Sequence, residues 1–260
     1  MNSILRKEKL TDTITLLELN APLIAKSAKA GQFVIVRPTV TSERIPLTIA
    51  DANKNFGTIQ IVFQEVGHTT QKLASLRVSD VIEDTVGPLG KPTEIPKDAE
   101  KVCIVAGGVG AAMSYSLAKL CPDADIVLGF RNKSLVILED KFRSVCKNVT
   151  ICTDDGSYGE KGFVTDFISN KYDFVMATGP IPMMKAVCDK TSAEVTVSLN
   201  PIMIDGTGMC GCCRVTVDGK VQYACIDGPD FDGHKVDFNE LINRNKTYKK
   251  YEEECNLLNR

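Results

Sequence analysis

The sequence predicts three structural units in series: an antiparallel β-barrel, an α/β domain with a doubly wound parallel sheet, and a small cysteine-bearing hairpin subdomain. Residues 1–96 contain short apolar, β-branched segments separated by glycine, proline, asparagine and aspartate, which indicates successive strands. Residues 97–199 alternate strand-like with helix-like segments, as in a parallel sheet covered by helices. Residues 200–260 begin with a glycine- and cysteine-rich stretch and end in a charged helical segment.

The composition is that of an ordinary globular protein. The 260 residues are 43% hydrophobic and 25% charged, with a formal net charge of -2, and this length suits two modest domains with an appendage. No basic block suggests nucleic acid, and no apolar run approaches the roughly 20 residues that span a bilayer. The polar start MNSILRKEKL lacks the apolar core of a signal peptide. We therefore expect a cytoplasmic protein without nucleic-acid or membrane partners, in which disulfides are rare.

Four segments of the first 96 residues support the barrel. Each alternates or runs apolar with β-branched residues, and short strands at this spacing are typical of antiparallel barrels. The segments are DTITLLELN, GQFVIVRPT, RIPLTIAD and GTIQIVFQEV. The stretch GPLGKPTEIPKDAEK, with three prolines and two glycines, marks the expected boundary with the next domain.

Five apolar segments predict the strands of the α/β domain. They are KVCIVAGG, DIVLGF, VTICTDDG, YDFVMATGP and AEVTVSLN. The helices expected between them are GAAMSYSLAKLCP, part of SLVILEDKFRSVC, GFVTDFIS and PMMKAVCDKTS. Ligands of such sheets bind at the carboxyl ends of the strands, so the glycine-rich turns after residues 106, 155 and 178 are candidate binding turns.

The most informative pattern is the cysteine-rich stretch DGTGMCGCCRVTVDGKVQYACIDG, residues 205–228. Two residues separate Cys210 from Cys213, and eleven residues separate Cys213 from Cys225. Asp205 lies where a four-cysteine [2Fe–2S] site would have its first ligand. Thiolates are the soft ligands that iron–sulfur clusters require, and the glycines let backbone N–H groups turn toward the cluster sulfurs. The segment RVTVDGKVQYAC predicts a hairpin that returns Cys225 to the other ligands.

Three other interpretations of the cysteines remain open. A structural zinc site needs four closed ligands, but the adjacent Cys212 and Cys213 are awkward donors to one metal. A thioredoxin-like C-x-x-C would begin a helix, whereas this one precedes a hairpin. Buried structural cysteines are a third possibility, which the clustering disfavours. For the fourth iron ligand we favour Asp205 over Cys212, although an aspartate before a glycine is also a common turn residue.

Two motifs in the barrel region carry groups suited to a phosphorylated cofactor. Arg44-Ile-Pro-Leu-Thr48 begins a strand, and an arginine at such an edge can pair with a pyrophosphate through two N–H groups. The Thr48 hydroxyl can bond the edge of a flavin ring. Gly67-His-Thr-Thr70 precedes the helix-like QKLASL, so its N–H groups lie where a phosphate binds. Each motif alone also suits an ordinary surface arginine or helix start.

A third motif, Gly107-Gly-Val-Gly110, follows a strand and opens a helix, which is the placement that a dinucleotide phosphate needs. It is not a strict G-x-G-x-x-G, because Met113 takes the last position. Arg131-Asn132 follows the second strand in place of the acid that binds an adenosine ribose, so a standard Rossmann dehydrogenase is disfavoured. The two histidines, His68 and His234, supply neither a catalytic triad nor a metal triad.

Taken in chain order, these segments resemble one family, the ferredoxin-reductase-like electron-transfer subunits of the dihydroorotate dehydrogenase B type. The motifs run over nearly the whole chain: GQFVIVRP, ERIPLTIAD, GPLG, AGGVGAA, TDDGSYGEKG, GPIPMM and the cysteine loop. Within this family, the chain resembles one branch in three features: the aspartate at 205 and the segments NPIMIDGTGMCGCCRV and FDGHKVDF. This branch is the small subunit of the NADH-dependent reduced ferredoxin:NADP oxidoreductase, also called sulfide dehydrogenase.

The resemblance implies a ferredoxin-reductase-like fold with an FAD-binding barrel over 1–96, an NAD-binding domain over 97–199 and a [2Fe–2S] subdomain with a C-terminal helix over 200–260. The implied FAD contacts are Arg44, Pro46, Leu47, Thr48, Gly67, Thr69 and Thr70. The implied NAD(H) contacts are Gly107, Gly108, Gly110, Asp155, Gly179 and Pro180. The implied cluster ligands are Asp205, Cys210, Cys213 and Cys225. No catalytic side chain is implied, because the cofactors carry the chemistry.

The function implied by the resemblance is electron transfer. NADH and FAD exchange a hydride, the flavin splits the electron pair, and the cluster carries single electrons to or from a larger glutamate-synthase-like flavoprotein that also serves ferredoxin. The cluster loop and the tail from Asn239 are the expected docking surface. The alternatives are the electron-transfer subunit of dihydroorotate dehydrogenase B, against which the aspartate at 205 argues, and a non-catalytic module with a zinc clasp. The sequence leaves open NADH or NADPH, the direction of electron flow and whether the electron pair bifurcates.

Overall fold

The computed structural model describes residues 2–169 and 171–258, without the side chains of residues 250 and 255–258. The last two residues of the predicted C-terminal segment lie outside the described residues. The strands are β1 (Ile4–Thr11), β2 (Ile14–Asn20), β3 (Phe33–Arg37), β4 (Ile45–Asn53), β5 (Thr58–Gln64), β6 (Asp84–Leu89), β7 (Val102–Gly107), β8 (Asp125–Phe130), β9 (Asn148–Thr153), β10 (Glu160–Lys161), β11 (Phe174–Thr178), β12 (Glu194–Ser198), β13 (Arg214–Val217), β14 (Lys220–Tyr223) and β15 (Asp230–Asp232). The helices are α1 (Pro22–Ser27), α2 (His68–Ser75), α3 (Gly110–Ala118), α4 (Glu139–Val145), α5 (Ile181–Lys190), α6 (Phe238–Asn245) and α7 (Lys249–Leu258).

The first six strands form the predicted antiparallel barrel sheet, in the order β1-β2-β5-β4-β3-β6. Apolar residues alternate along its strands, so Ile59 and Ile61 of β5 are fully buried while Gln60 between them is partly exposed. The turn between β4 and β5 is closed by Asn53, whose Oδ1 accepts the N–H groups of the two residues Asn55 and Phe56. Local sequence therefore specifies both the strands and this turn.

The second sheet has the order β10-β9-β8-β7-β11-β12-β15 and is parallel except for β15. Its central strands β7 and β11 are buried on both faces, which is why they read as continuous apolar runs rather than alternating ones. In register, Ala106 pairs with Thr178, so the carboxyl ends of β7 and β11 meet. The sheet therefore brings the turns after these two strands side by side.

The C-terminal unit consists of the predicted hairpin and two short helices. Asp218 and Gly219 both have positive φ, as the two-residue turn between β13 and β14 requires. The charged tail is not one helix, because α6 ends at Asn245 and α7 begins at Lys249. No helix in the described part of the chain has both the length and the apolar character needed to cross a membrane.

One hydrophobic core joins the three predicted units. It contains Phe33 and Ile35 of the barrel, Val105 of the α/β sheet, and Cys225 and Phe238 of the C-terminal unit. The hairpin therefore packs on both larger units.

Three details differ from the expectation or add to it. The predicted helix GFVTDFIS is wrong: it forms only a three-residue 3-10 turn over Val164–Asp166, which closes when Asp166 accepts the N–H of Phe163. A segment this short cannot recover the cost of helix nucleation, and Val164 is instead buried against the sheet. Strands β1, β6 and β10 and helix α1 were not predicted. The edge strand β15 comes from the predicted C-terminal unit but completes the α/β sheet.

Candidate functional site

Residues 45–48 of the barrel motif lie on β4, which is next to β3. Along this antiparallel pair, Thr48 faces Phe33, while Leu47 and Pro46 pair with the next two residues of β3. The predicted residues Pro46, Leu47 and Thr48 thus lie on one strand in fixed register.

Arg44 immediately precedes β4, and its side chain is exposed. Its Nη2 lies 3.5 Å from Asp84 Oδ2, whereas Arg37 holds the same oxygen more closely, with Nε at 2.7 Å. Because the long contact with Asp84 is the only ion pair of Arg44 among the described residues, most of its N–H groups remain available to an anion.

The second barrel motif begins α2, with Gly67 as its N-cap. The Thr70 hydroxyl accepts the N–H of Gly67 at 3.0 Å and donates to the Gly67 carbonyl at 2.9 Å, so it is committed to the helix start. Thr69 is buried, and its Oγ1 has no hydrogen-bond partner in the described part of the chain. A buried hydroxyl without a partner is costly, and a bound phosphate oxygen would satisfy it.

The glycines of the nucleotide motif allow two turns to touch. A methyl group on Gly110 would lie 2.3 Å from the carbonyl oxygen of Thr178, so only glycine permits this approach of the β7 and β11 turns. Gly108 has φ +55° and no atom within 4 Å of the position of a β-carbon. Gly107 and Gly179 are in close contact behind it. The backbone at Gly108 is therefore open on the side where a ligand would approach.

Asp155 lies in the exposed turn after β9. Its Oδ1 accepts the N–H of Ser157 at 2.9 Å, and the hydrogen bonds from Ser157 lower the pKa of the carboxyl. Its own N–H points to the Arg131 carbonyl at 3.4 Å, which joins this turn to the one after β8. Pro180 precedes α5 at the end of β11. The predicted nucleotide residues thus lie along one edge of the sheet.

A cleft opens between the barrel and this edge of the sheet. Its walls are Phe33, Pro46, Thr48, Met113, Ser198, Leu199, Asn200, Met203 and Pro229. Only Pro46 and Thr48 of these were predicted as site residues. The rule that ligands bind beyond strand ends could have identified residues 198–200, because they end and follow the last parallel strand. No local signal pointed to Phe33 or Pro229.

In the cysteine loop, the structure brings together two of the four predicted iron ligands. Cys213 and Cys225 are buried, with their Sγ atoms 3.1 Å apart. The backbone N–H of Gly208 interacts with the Cys225 sulfur. Burial raises the pKa of Cys225 to about 12, so a metal must displace a thiol proton on binding.

The other two predicted ligands are more exposed. Asp205 accepts the N–H of Thr207 on Oδ1 at 2.9 Å and the N–H of Cys210 on Oδ2 at 2.7 Å, and the Thr207 bond is the main cause of a lowered Asp205 pKa. Cys212, the alternative ligand, has its Sγ 3.9 Å from the Cys210 carbonyl. Within the described ranges, no three His, Cys, Asp or Glu side chains are arranged as a ready metal site.

The donor set of this loop nevertheless fits an iron–sulfur cluster. An ionised carboxylate, three thiols of the predicted spacing and the inward N–H of Gly208 belong to one loop and hairpin. Asp205 and Cys210 are already joined through the 2.7 Å hydrogen bond. Assembly would require the side chains of Asp205 and Cys210 to turn toward the buried pair.

The cysteine loop also touches the barrel. A methyl group on Gly206 would lie 2.7 Å from Leu89 Cδ1 and 2.9 Å from Ile35 Cγ1, so the loop packs closely on β3 and β6. Ile35 pairs with Pro46 of the flavin motif. The predicted cluster and flavin sites therefore both lie against β3.

Comparisons with known proteins agree with this geometry. Residues 200–237 match the family model for the iron-sulfur cluster binding domain of dihydroorotate dehydrogenase B. The electron transfer subunit homolog of dihydroorotate dehydrogenase B (NAD(+)) from Thermotoga maritima is 43% identical, over 97% of this chain and 93% of its own. The electron transfer subunit of that enzyme from Clostridium perfringens is 33% identical, over 89% of this chain and 98% of its own.

Solved structures show the same relationship. A chain of the NADH-dependent reduced ferredoxin-NADP oxidoreductase structure is 40% identical, with a TM-score of 0.91 over 99% of this chain and 98% of that chain. Phthalate dioxygenase reductase, at 18% identity and a TM-score of 0.60, covers 83% of this chain and 85% of its own and shares the fold. The predicted ferredoxin-reductase-like fold is thus confirmed, and this chain belongs to the family of dihydroorotate dehydrogenase B-type electron-transfer subunits.

Proposed function

We propose that this chain is the electron-transfer subunit of an oxidoreductase and passes electrons between NAD(H), FAD, a [2Fe–2S] cluster and a larger flavoprotein. The observation that best supports this proposal is the position of β3. Phe33 pairs with Thr48 and lines the cofactor cleft, and Ile35, two residues later, contacts Gly206 of the cysteine loop. Since electron transfer slows steeply with distance, sites that share one strand are well placed to exchange electrons.

The barrel residues would bind and orient the flavin. Arg44 would pair with a pyrophosphate through its uncommitted N–H groups, and the buried Thr69 hydroxyl would gain the partner that it lacks. Thr48, fixed opposite Phe33, would present its hydroxyl or backbone to the ring edge. FAD supplies the ability to exchange two electrons as a hydride on one side and single electrons on the other.

The α/β turns would bind the nicotinamide dinucleotide. The open backbone at Gly108, at the start of α3, suits a phosphate at a helix N-terminus. Asp155 and Pro180 would border the same edge. Met113 of α3 would contact the cofactors from the cleft wall, because it lines the same cleft as Thr48.

The cysteine loop would hold the cluster through Asp205, Cys210, Cys213 and Cys225. The buried pair forms the anchor, and the inward N–H of Gly208 would hydrogen-bond to sulfur and tune the potential. A cluster supplies one-electron transfer. The zinc alternative receives no support from the family model, which describes iron–sulfur binding.

The finer assignment is to the ferredoxin:NADP oxidoreductase type. The 40% identical chain of that oxidoreductase and the aspartate at 205 favour it. The subunit of dihydroorotate dehydrogenase B remains the second candidate, because relatives at 33% identity carry that name. Only the first type predicts NADP reduction that depends on both NADH and reduced ferredoxin.

The larger partner would be a glutamate-synthase-like flavoprotein that also serves ferredoxin, and it would dock over the cluster loop. Met209 is 90% exposed at the tip of this loop, and Ile204 and Ile226 expose apolar surface beside it. The tail from Asn239 would add a charged rim. We place this complex in the cytoplasm, where the nine described cysteines, all free, would stay reduced.

The test is anaerobic purification of the full chain with flavin and iron analysis. We expect FAD, close to two irons per chain, a low-temperature EPR signal of a reduced [2Fe–2S] centre and bleaching of the flavin by NADH or NADPH. A colourless, zinc-containing and EPR-silent protein would overturn the proposal. Turnover of dihydroorotate, and not of ferredoxin, with the co-purified partner would select the second candidate.

The fourth ligand is tested by a matched pair of variants in the same loop. Asp205→Ala should change the EPR spectrum and lower iron content, whereas Asp205→Cys should keep a cluster with a shifted potential. Cys212→Ser should leave both signals unchanged. The reverse pattern would assign Cys212 as the ligand: an unchanged EPR spectrum and iron content in Asp205→Ala, and a loss of both in Cys212→Ser.

A further inference from the structure

A carboxyl group lies where the three units meet, and none of the proposed cofactor contacts uses it. Asp230 is the first residue of β15 and pairs in register with Ser198, the last residue of β12. Its Oδ2 accepts a hydrogen bond from the Thr93 hydroxyl at 2.5 Å. The Ser198 hydroxyl also interacts with this carboxyl and lowers its pKa. One carboxyl thus joins the α/β sheet to the segment that leaves the barrel.

Thr93 is itself fixed to the barrel. Its backbone N–H donates to the Ala30 carbonyl at 2.9 Å, in the turn that leads into β3. Two residues earlier, the N–H of Lys91 donates to the Gly228 carbonyl at 2.6 Å. The segment 91–93 is therefore held on one side by the barrel and on the other by the strand that carries Asp230.

This joint lies directly behind the cofactor cleft. Ser198, which pairs with Asp230, and Pro229, which precedes Asp230 in the chain, both form part of the cleft wall. A methyl group on Gly90 would lie 2.9 Å from both Phe33 and Pro229, so the barrel wall and the β15 wall are in contact there. Displacement of Asp230 would shift the barrel side of the cleft, where the flavin would bind, relative to the α/β side, where the nicotinamide would bind.

We propose that Asp230 is a positioning residue for hydride transfer, because it fixes the barrel against the α/β sheet at the separation at which nicotinamide and flavin react. This inference rests on the proposed function. In that reaction the C4–H bond of the reduced nicotinamide breaks and the N5–H bond of the flavin forms, and both electrons move with the hydride to leave the oxidised nicotinamide. A misplacement of about 1 Å can slow such a step by about 100-fold.

The two carboxyl oxygens have different roles. Oδ2 bonds to Thr93, whereas Oδ1 is shielded from solvent and has no hydrogen-bond partner in the described residues. Protonation of Oδ1, or replacement of Oδ1 by the amide nitrogen of an asparagine, therefore leaves the acceptor at Oδ2 in place. Burial raises the pKa of Asp230 to about 6, and the Thr93 and Ser198 hydroxyls oppose this shift. The required feature is the acceptor at Oδ2, which both aspartate and asparagine supply.

The experiment measures flavin reduction by NADH in a stopped-flow instrument, with the full chain loaded with FAD and cluster. Asp230→Ala and Thr93→Val should lower the rate constant at saturating NADH by about 10-fold or more. The conservative variants Asp230→Asn and Thr93→Ser should restore it to within about threefold of the parent. The apparent Kd for NADH, the FAD content and the iron content should change little. NADH deuterated at C4 should show a larger isotope effect in the slow variants, because hydride transfer limits them.

Asp232→Ala is the matched control. This residue lies two positions further along β15 and pairs with Lys235 at 2.8 Å rather than with the barrel segment, so the rate should not change. Unaltered rates in Asp230→Ala and Thr93→Val would overturn the inference, and so would equal losses in Asp230→Ala and Asp230→Asn. If Asp230→Ala does not fold, Thr93→Val against Thr93→Ser decides alone. A parent protein that binds FAD but is not reduced by NADH or NADPH would instead refute the proposed function.

Discussion

The cleft lined by Phe33 and the cysteine loop that packs on Ile35 lie against the same face of β3, but they are built by different means. Phe33, Pro46, Thr48 and Ser198 of the cleft lie on strands of the two sheets, and Met113 lies on α3. The cysteine loop, residues 204–213, contains no strand or helix, and its contacts include the hydrogen bonds to the Asp205 carboxylate and the buried pair of thiols, Cys213 and Cys225.

This difference indicates that the arrangement of the cysteine loop depends on its ligand more than that of the cleft does. The sheets satisfy the backbone of the strand residues of the cleft whether or not a nucleotide is present, so we expect this part of its geometry to be preformed. The loop has two buried and two more exposed candidate ligands, and metal binding would supply the free energy that gathers them. Removal of one ligand side chain should therefore disturb the whole loop. A substitution in the cleft should act only near the substituted residue.

The largest effect is expected for Cys213→Ser. Its Sγ lies 3.1 Å from that of Cys225 in the buried anchor of the loop, so the variant should lose the cluster and fall from about two irons per chain to nearly none. FAD content should remain close to the parent value, because the cleft does not use this side chain. Cys121→Ser, at a partly buried cysteine outside the loop, is the control. Parallel loss of FAD and iron, measured by absorbance and metal analysis, would show that the two regions are not independent.

A smaller effect, confined to the cleft, is expected for Gly110→Ala. The added methyl would lie 2.3 Å from the Thr178 carbonyl, so the β7 and β11 turns must separate at a cost of about 1–3 kcal/mol in the free energy of unfolding. Affinity for NADH should fall while iron content stays constant. Ser116→Ala on the same helix should alter neither. Calorimetry with NADH and chemical denaturation provide the two measurements, and an unchanged NADH affinity would contradict the nucleotide assignment.

The smallest effect concerns pH at the joint behind the cleft. Because burial raises the pKa of Asp230 from 3.8 to about 6, the native state binds the extra proton between these values, and stability falls as pH rises through this window. The full effect is about 3 kcal/mol, of which about 1 kcal/mol lies between pH 5 and pH 7. Asp230→Asn lacks this titration. Its free energy of unfolding, relative to that of the parent, should therefore rise by about 1 kcal/mol between pH 5 and pH 7.

Asp232→Asn, on the same strand, is the control for that titration and should follow the parent at both pH values. Urea denaturation at each pH gives the difference in free energy of unfolding. A constant difference between Asp230→Asn and the parent would mean that Asp230 does not titrate in this range.

Local patterns predicted most of the architecture. The five longer parallel strands, the barrel strands β2 to β5 and the Asp218–Gly219 hairpin follow from periodicity and turn chemistry over a few residues. The segment GFVTDFIS was assigned wrongly because its helical composition covers only eight residues, and tertiary packing of Val164 decided its conformation. The strand β1 was missed because its sequence ILRKEKLT is mostly polar, although β2 pairs with nearly all of it.

By itself, the sequence determined the fold class, the position of the glycine turns and the candidate ligands of a cluster, since each depends on spacing along the chain. The tertiary structure alone decided that Phe33 and Pro229 share a cleft, that β15 completes the α/β sheet, and that Asp230 bonds Thr93, 137 positions away. Such contacts depend on how two sheets and a hairpin pack on one core. That packing is fixed by the sum of many buried contacts, and no single segment encodes it.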